Sequence, residues 1–297
     1  MNYTEFKSEV VDRIRESEGP GTEVGIHRVP KNNGLVLDGL TILRPGCNIS
    51  PTIYLEKYYR HYSTGEMPIE SVVSDILKEH SSHDICGFID TKQLTEFGNI
   101  GGKIYPRLIN YNRNRGFLQQ VPHRRFLDLA VIYYFEVSGH GFGEATSILN
   151  NREALCWQMD EETIYKTAMA NMLRSKPARM LSMDRLLEEI GAPRSLTGDM
   201  NPMQLQMTVL TNEDRYFGAN CLLAPECFRK LADSAGKDLF LLPSSVHEII
   251  ALPDDGSYSR LDLEKMVIEV NTTQVISCEV LSDHVYRYSR EARTVLY

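Results

Sequence analysis

The chain has 297 residues, with 32 Lys and Arg against 40 Asp and Glu and a formal net charge of −8. That balance argues against a general nucleic-acid binder, which works by neutralising phosphates with surplus cations. The lack of an apolar run of about 18 residues excludes a membrane-spanning helix. A hydrophobic fraction of 42% can bury a large core, in one domain or in two of about 100–200 residues each.

Residues 1–19 are charged throughout and lack the apolar core of a signal peptide, so the expected location is the cytoplasm. Phe6, Val10 and Ile14 predict a short amphipathic helix there. Asn33-Gly34 supplies two positive-φ residues and predicts a tight type I′ hairpin turn. In the second arm Leu35 and Leu37 alternate out of phase with Leu40 and Ile42, which predicts a bulge at Asp38-Gly39. Ser50-Pro51 reads as a helix start, with Leu55, Tyr58, Tyr59 and Tyr62 as the buried face and Gly65 as the stop. A second helix follows Pro68 through Ile69, Val72, Val73, Ile76 and Leu77, and a short third one is expected near 91–97.

Residues 104–120 read as irregular strand. FLDLAVIYYFEV, 126–137, reads as the central strand of a main sheet, apolar on both faces except at Asp128 and Glu136. A glycine-rich hairpin turn follows. Asn150 or Asn151, Asp160, Ser182 and Ser259 are the expected starts of helices, the last burying Leu263, Met266, Val267 and Val270. Strands are expected in QMTVLTN, DLFLLP and HVYRYSR, with a helix between Pro225 and Gly236. The turn-rich 195–204 suggests a boundary between an N-terminal part, 1–195, and a C-terminal part, 196–297, although one continuous domain is equally compatible. The fold class is α+β: an N-terminal β-hairpin and helices, then a mixed β-sheet covered by helices.

The phrases NISPTIYLEKYYRHYSTGE, YNRNRGFLQQVPHRRFLDLAVIYYFEV, LLPSSVHEIIALPDD and VNTTQVISCEVLSDHVYRY, in this order, resemble a bacterial family abundant in clostridial gut organisms, domain of unknown function 5688. The resemblance covers essentially the whole chain. Residues 126–172 are distantly similar to another uncharacterised family of Firmicutes. Neither resemblance implies an activity, a substrate or a catalytic residue.

Four local patterns have chemistry-bearing residues and simpler readings beside it. His80, His83 and Cys86 are metal-ligand types, but they fall at a helix end, where the dipole also favours histidine. Gly139, Gly141 and Gly143 have hairpin spacing, not the dinucleotide fingerprint. Ser244, Ser245 and His247 lack a nucleophile elbow. Cys47 is a candidate thiol with His27, His61 or His123 as bases, against a reading of six scattered cysteines as free thiols in a reducing compartment. No metal and no cofactor is called for.

The strongest signal is compositional. Between Glu96 and Asp128 there is no acid, while Lys103, Arg107, Arg113, Arg115, Arg124 and Arg125 are interleaved with Tyr105, Tyr111 and Phe117, and His123 stands beside them. Guanidinium forks and aromatic faces suit a phosphorylated or nucleic-acid ligand. A solvated hairpin whose arginines pair with neighbouring acidic helices is the plainer account. The anion-binding candidates are Arg107, Arg113, Arg115, His123, Arg124 and Arg125. The expected function is a non-enzymatic binding or regulatory protein whose partner is a protein or an anionic ligand. The alternative is a hydrolase or transferase acting on a phosphorylated or nucleic-acid substrate through 103–125.

Overall fold

The computed structural model describes residues 1–82, 96–139, 142–189, 191, 203 and 206–297. The fold is α+β with an N-terminal hairpin and three antiparallel sheets, and the strands that the sequence suggests for one mixed sheet are divided between the two sheets that follow the hairpin's own. The chain divides into two compact units, Met1–Thr95 with Glu136–Ser147 and Glu96–Phe135 with Ile148–Tyr297. Apart from Met203, the turn-rich 195–204 lies outside the described residues.

In the first unit, α1 (Tyr3–Glu18) starts at a capping box: the Asn2 side chain accepts from Glu5 N–H and the Glu5 carboxylate accepts from Asn2 N–H, both at 2.9 Å. Strands β1 (Glu23–Pro30) and β2 (Val36–Leu43) pair from Glu23↔Leu43 to Pro30↔Val36. Asn33 and Gly34 both take the left-handed φ expected of them, 62° and 73°. The loop is nevertheless longer than a two-residue turn, closing through Lys31 N–H to Leu35 O at 2.7 Å. The register runs through Asp38 and Gly39 without a bulge. Gly39 is there for space: a Cβ would overlap Thr52 Cγ2 and come within 2.9 Å of Val29 Cγ2.

Ser50 does not cap a helix. Its Oγ accepts from Ile42 N–H at 3.0 Å, tying the chain to β2, and only after β3 (Ile53–Tyr54) does α2 (Leu55–Ser63) begin. Tyr59 and Tyr62 of α2 pack on Phe6 with ring centroids 5.2 and 5.3 Å apart. α3 (Ile69–Ser82) buries Ile69, Val72, Val73 and Ile76 as its spacing predicts, and these complete one core with Val10, Ile14, Leu40 and Ile42.

The third helix expected near 91–97 lies, apart from Glu96 and Phe97, outside the described residues; the second unit opens with α4 (Phe97–Ile100) and continues into β4 (Ile104–Asn110). After a 3-10 turn and α5 (Arg115–Leu118), the chain forms β5 (Arg124–Phe126) and β6 (Leu129–Gly139); β6 from Glu136 on, and β7 (Phe142–Ile148) up to Ser147, which pairs it, are counted with the first unit. β6 lies between β4 and β5, so Leu129–Phe135 are buried on both faces, as an apolar run in a central strand requires. β4 is an edge, which tolerates Pro106. α6 (Asn151–Cys156) and α7 (Glu161–Ser175) start at their expected caps, Asn150 and Asp160. α7 lies against β4, where Asn171 Nδ2 donates to Gly101 O at 2.7 Å and Ile104 O at 2.9 Å.

The last sheet has the order β13-β12-β10-β11-β9-β8, from β8 (Arg179–Ser182), β9 (Thr208–Thr211), β10 (Leu239–Ser245), β11 (Glu248–Pro253), β12 (Tyr286–Ser289) and β13 (Thr294–Leu296). α8 (Met183–Glu189) follows Ser182, but Leu186 and Leu187 are only half-buried. α9 (Glu226–Ala235) closes on Gly236 at φ 65°. α10 (Arg260–Thr273), capped by Ser259, buries Leu263 and Val267 against β10 while Met266 and Val270 face solvent, a correction to the four-residue face read from the sequence. A wholly buried 3-10 segment, Gly218–Leu223, fills the space beside β4, β9 and β11.

Candidate functional site

The arginine-rich stretch is not one surface. Strand alternation and the turn after β4 separate its cations, and each meets a different partner. Arg124 is spent on α7: Nε and Nη2 donate to the two oxygens of Glu161 at 2.9 and 2.7 Å, Nη2 also reaches Glu162 at 2.6 Å, and the guanidinium lies 3.6 Å from the Tyr165 ring centre. This is the fork-on-carboxylate pairing of a structural arginine. Tyr133 donates to Glu161 from the other side, and burial first, then that carboxylate, pushes its phenol pKa up. Arg115 bonds Asn112 Oδ1 at 2.8 Å, and His123 Nδ1–H donates to Val121 O at 3.0 Å.

Two of the candidates do meet. Leu127, at φ 56°, turns the chain from β5 into β6 so tightly that Phe126 pairs Leu129, and the turn presents Asp128 inward. Asp128 is buried, accepting Ser282 Oγ–H at 2.7 Å and Tyr286 O–H at 2.6 Å. Burial first, then the Asp128 charge, raises the Tyr286 pKa well above its ordinary value. Above Asp128 opens a pocket of about 460 Å³, bordered by Asn112, Arg113, Arg125, Asp283, His284 and Tyr297. Arg113 pairs with Asp283 at 2.6 Å, and Asn271 of α10 holds the same carboxylate at 2.9 Å. Arg125 lies 5.0 Å from the Tyr111 ring centre with Nε on Leu127 O at 3.1 Å, and among the described residues no carboxylate pairs with it. Asp128, Ser282, Asp283 and Tyr286 were not read as a site from sequence. The available signal was Asp128 itself, the acid at the head of an apolar strand.

Arg107 goes elsewhere. It stands on β4 among buried neighbours, its Cζ 4.2 Å from the Phe217 ring centre. Phe217 in turn stacks on His247 at 5.7 Å and 7°. The Phe217 N–H donates to His247 Nδ1 at 3.2 Å, so Nε2 carries the ring proton and faces Glu279 Oε1 at 3.7 Å. His247 is held below its ordinary pKa of 6.5, first by burial and then by the Arg107 charge, against the opposing pull of Glu279 and Glu248. Unfolded His247 takes up its proton first as pH falls. The stability it contributes is therefore present above pH 6.5 and is lost as pH drops towards the folded value. His247→Gln should flatten that part of the acid limb in denaturant midpoints followed from about pH 8 to 5; an unchanged limb would refute the assignment.

The other patterns resolve as structure. Ser245 Oγ accepts His247 backbone N–H at 3.0 Å and Ser244 Oγ donates to Glu248 at 3.0 Å, so neither hydroxyl meets the imidazole. His80 turns into the first unit's core, donating Nε2–H to Ile42 O at 3.0 Å. His83 and Cys86 lie outside the described residues, as do His140 and Gly141 of the glycine-rich turn. Among the described residues no three of His, Cys, Asp and Glu are grouped as metal ligands. Cys47 is disulfide-bonded, which removes it as a nucleophile and corrects the expectation of free thiols throughout, while Cys156, Cys221, Cys227 and Cys278 form no disulfide.

No curated protein and no solved structure matches the chain. A family model described as "Family of unknown function (DUF5688)" matches residues 3–290, nearly the whole length. The resemblance read from the quoted phrases is thereby shown, and the chain belongs to the DUF5688 family.

Proposed function

We propose that this is a non-enzymatic binding protein of the bacterial cytoplasm whose ligand is a small anionic molecule seated above Asp128. The observation that carries the reading is that Arg125, a guanidinium with no carboxylate partner among the described residues, borders the same opening of about 460 Å³ as Arg113, His284 and Tyr297. That volume suits a small molecule, and the groups around it are mostly donors. Its acids are engaged, Asp128 by two hydroxyls and Asp283 by Arg113 and Asn271, which supports binding over acid–base chemistry. The four cysteines that form no disulfide support a reducing compartment, to which the Cys47 bridge is the exception.

Thermal unfolding of wild type and Arg125→Ala against a panel of carboxylates, phosphate esters and nucleotides tests this. At least one compound should raise the wild-type Tm, with its Kd about tenfold or more weaker in Arg125→Ala, the loss expected for a hydrogen bond to a charged group. A panel that shifts both proteins equally, or neither, would sink the reading.

A further inference from the structure

We propose that Arg107 forms a second, internal site for a small oxyanion, a carboxylate or a phosphate, beside Phe217 and His247 and independent of the Asp128 pocket. β4 is held firmly on both sides of this residue. Asn220 accepts from Leu108 N–H at 3.0 Å and donates to Pro106 O at 2.6 Å, so its amide covers the open edge of β4 at the two residues that flank Arg107. The guanidinium therefore has a fixed base. It rests on the Phe217 ring, and its Nε is buried without a hydrogen-bond partner.

No carboxylate lies within ion-pair distance of Arg107 among the described residues. The groups whose charges act on it are the Tyr216 and Tyr134 phenols and the Cys278 thiol, none of them a carboxylate, and burial pulls its pKa down. Glu279 is turned to His247 instead. Arg107 is half-buried, and a guanidinium Nε removed from water without a partner is unfavourable. Arg124 shows how this fold satisfies a structural arginine, with two carboxylates and an aromatic face. Arg107 has the aromatic face and lacks the anion.

The missing partner is defined by what is left over. Nε and a terminal N–H form one edge of the guanidinium fork, which fits two oxygens of one carboxylate or phosphate. His247, neutral with its proton on Nε2, adds no positive charge, so the site suits a small anion of low charge. Leaving the site without an anion costs stability, as binding residues commonly do.

The test uses the full chain at constant ionic strength in chloride, with inorganic phosphate and acetate as separate probes, on wild type, Arg107→Met, Arg107→Lys and Arg125→Ala. One probe should raise the wild-type and Arg125→Ala melting temperatures saturably and leave Arg107→Met unchanged. Without a probe, Arg107→Met should melt at or above wild type, because a half-buried cation with an orphaned Nε has been replaced by an apolar chain of similar length. Arg107→Lys keeps the charge without the fork, and its apparent Kd should rise by about tenfold or more. This variant also serves if Arg107→Met fails to fold. The proposal is overturned if phosphate and acetate act equally on wild type and the Arg107 variants, which is a general salt effect. It is equally overturned if neither probe acts and Arg107→Met melts below wild type, which makes Arg107 structural. Loss of the response in Arg125→Ala alone would assign the anion to the Asp128 pocket and also overturn it.

Discussion

Gly218→Ala is expected to lower the unfolding free energy by about 3 kcal/mol, the upper end of the usual cost of overpacking. A Cβ at Gly218 would overlap Thr211 Oγ1 and the carbonyl oxygen of His247 and would come within 2.7 Å of Thr211 Cα. Two of those atoms are backbone, so no rotamer change relieves the clash. Thr211 Oγ1 also donates to His247 O at 2.9 Å, a bond the methyl group would wedge apart. The 3-10 segment that begins at Gly218 carries Asn220, and Phe217 precedes it, so the displacement reaches both the clamp on β4 and the ring under Arg107. A lower denaturant midpoint at unchanged slope is the expected signature. Gly116→Ala is the control: the added methyl meets nothing within 4 Å, and in a helical turn it should be neutral or stabilising by about 0.5–1 kcal/mol. Equal stability of Gly218→Ala and Gly116→Ala would mean that the close approach at Gly218 is wrong.

The contrast between Gly39 and Asn150 shows what was legible in this sequence. Asn150, Asp160 and Ser259 cap helices as predicted because a cap is a local bond, complete within three residues. Asn33-Gly34 took its left-handed φ for the same reason, although the loop that holds it is longer than the two-residue turn predicted. Ser50 has an equally good local signal, but strand β2 claims its hydroxyl through Ile42, eight residues away. Gly39 looked like a bulge because the neighbouring apolar residues changed phase, whereas its role is set by Thr52 and Val29 packing across it. The central strand was readable because burial on both faces leaves an unbroken apolar run. Its head, Asp128, was visible as an exception, but its meaning depends on Ser282 and Tyr286, more than 150 residues further along. The six cations were legible as a cluster in sequence and misleading as a cluster in space. Arg113 finds Asp283, Arg124 finds Glu161 and Arg107 finds Phe217, and none of those pairings follows from local pattern.

Asp128→Ala is expected to cost about 3 kcal/mol or more, because removing the acceptor strands two hydroxyls and each hydrogen bond to a charged group is worth about 1.5–3 kcal/mol. Tyr286 is fully buried, so its O–H has no water to turn to. Asp128→Asn should cost clearly less, about 1–2 kcal/mol, since the amide keeps one acceptor oxygen and the second hydroxyl can rotate to accept from its N–H. The alkaline limb separates the charge from the shape. Tyr286 has its folded pKa raised above the unfolded value of 10.0, so its contribution is complete below pH 10 and is lost as pH rises, when the unfolded chain ionises first. Burial is the larger cause and survives in Asp128→Asn; the carboxylate's share does not. An ultraviolet phenolate titration of the folded protein above about pH 10 should therefore show Tyr286 ionising at lower pH in Asp128→Asn than in wild type. An identical titration would mean that the Asp128 charge does not reach the phenol. If Asp128→Ala proved as stable as wild type, Asp128 would have no claim to hold the floor of the pocket, and the ligand site above it would have to be sought elsewhere.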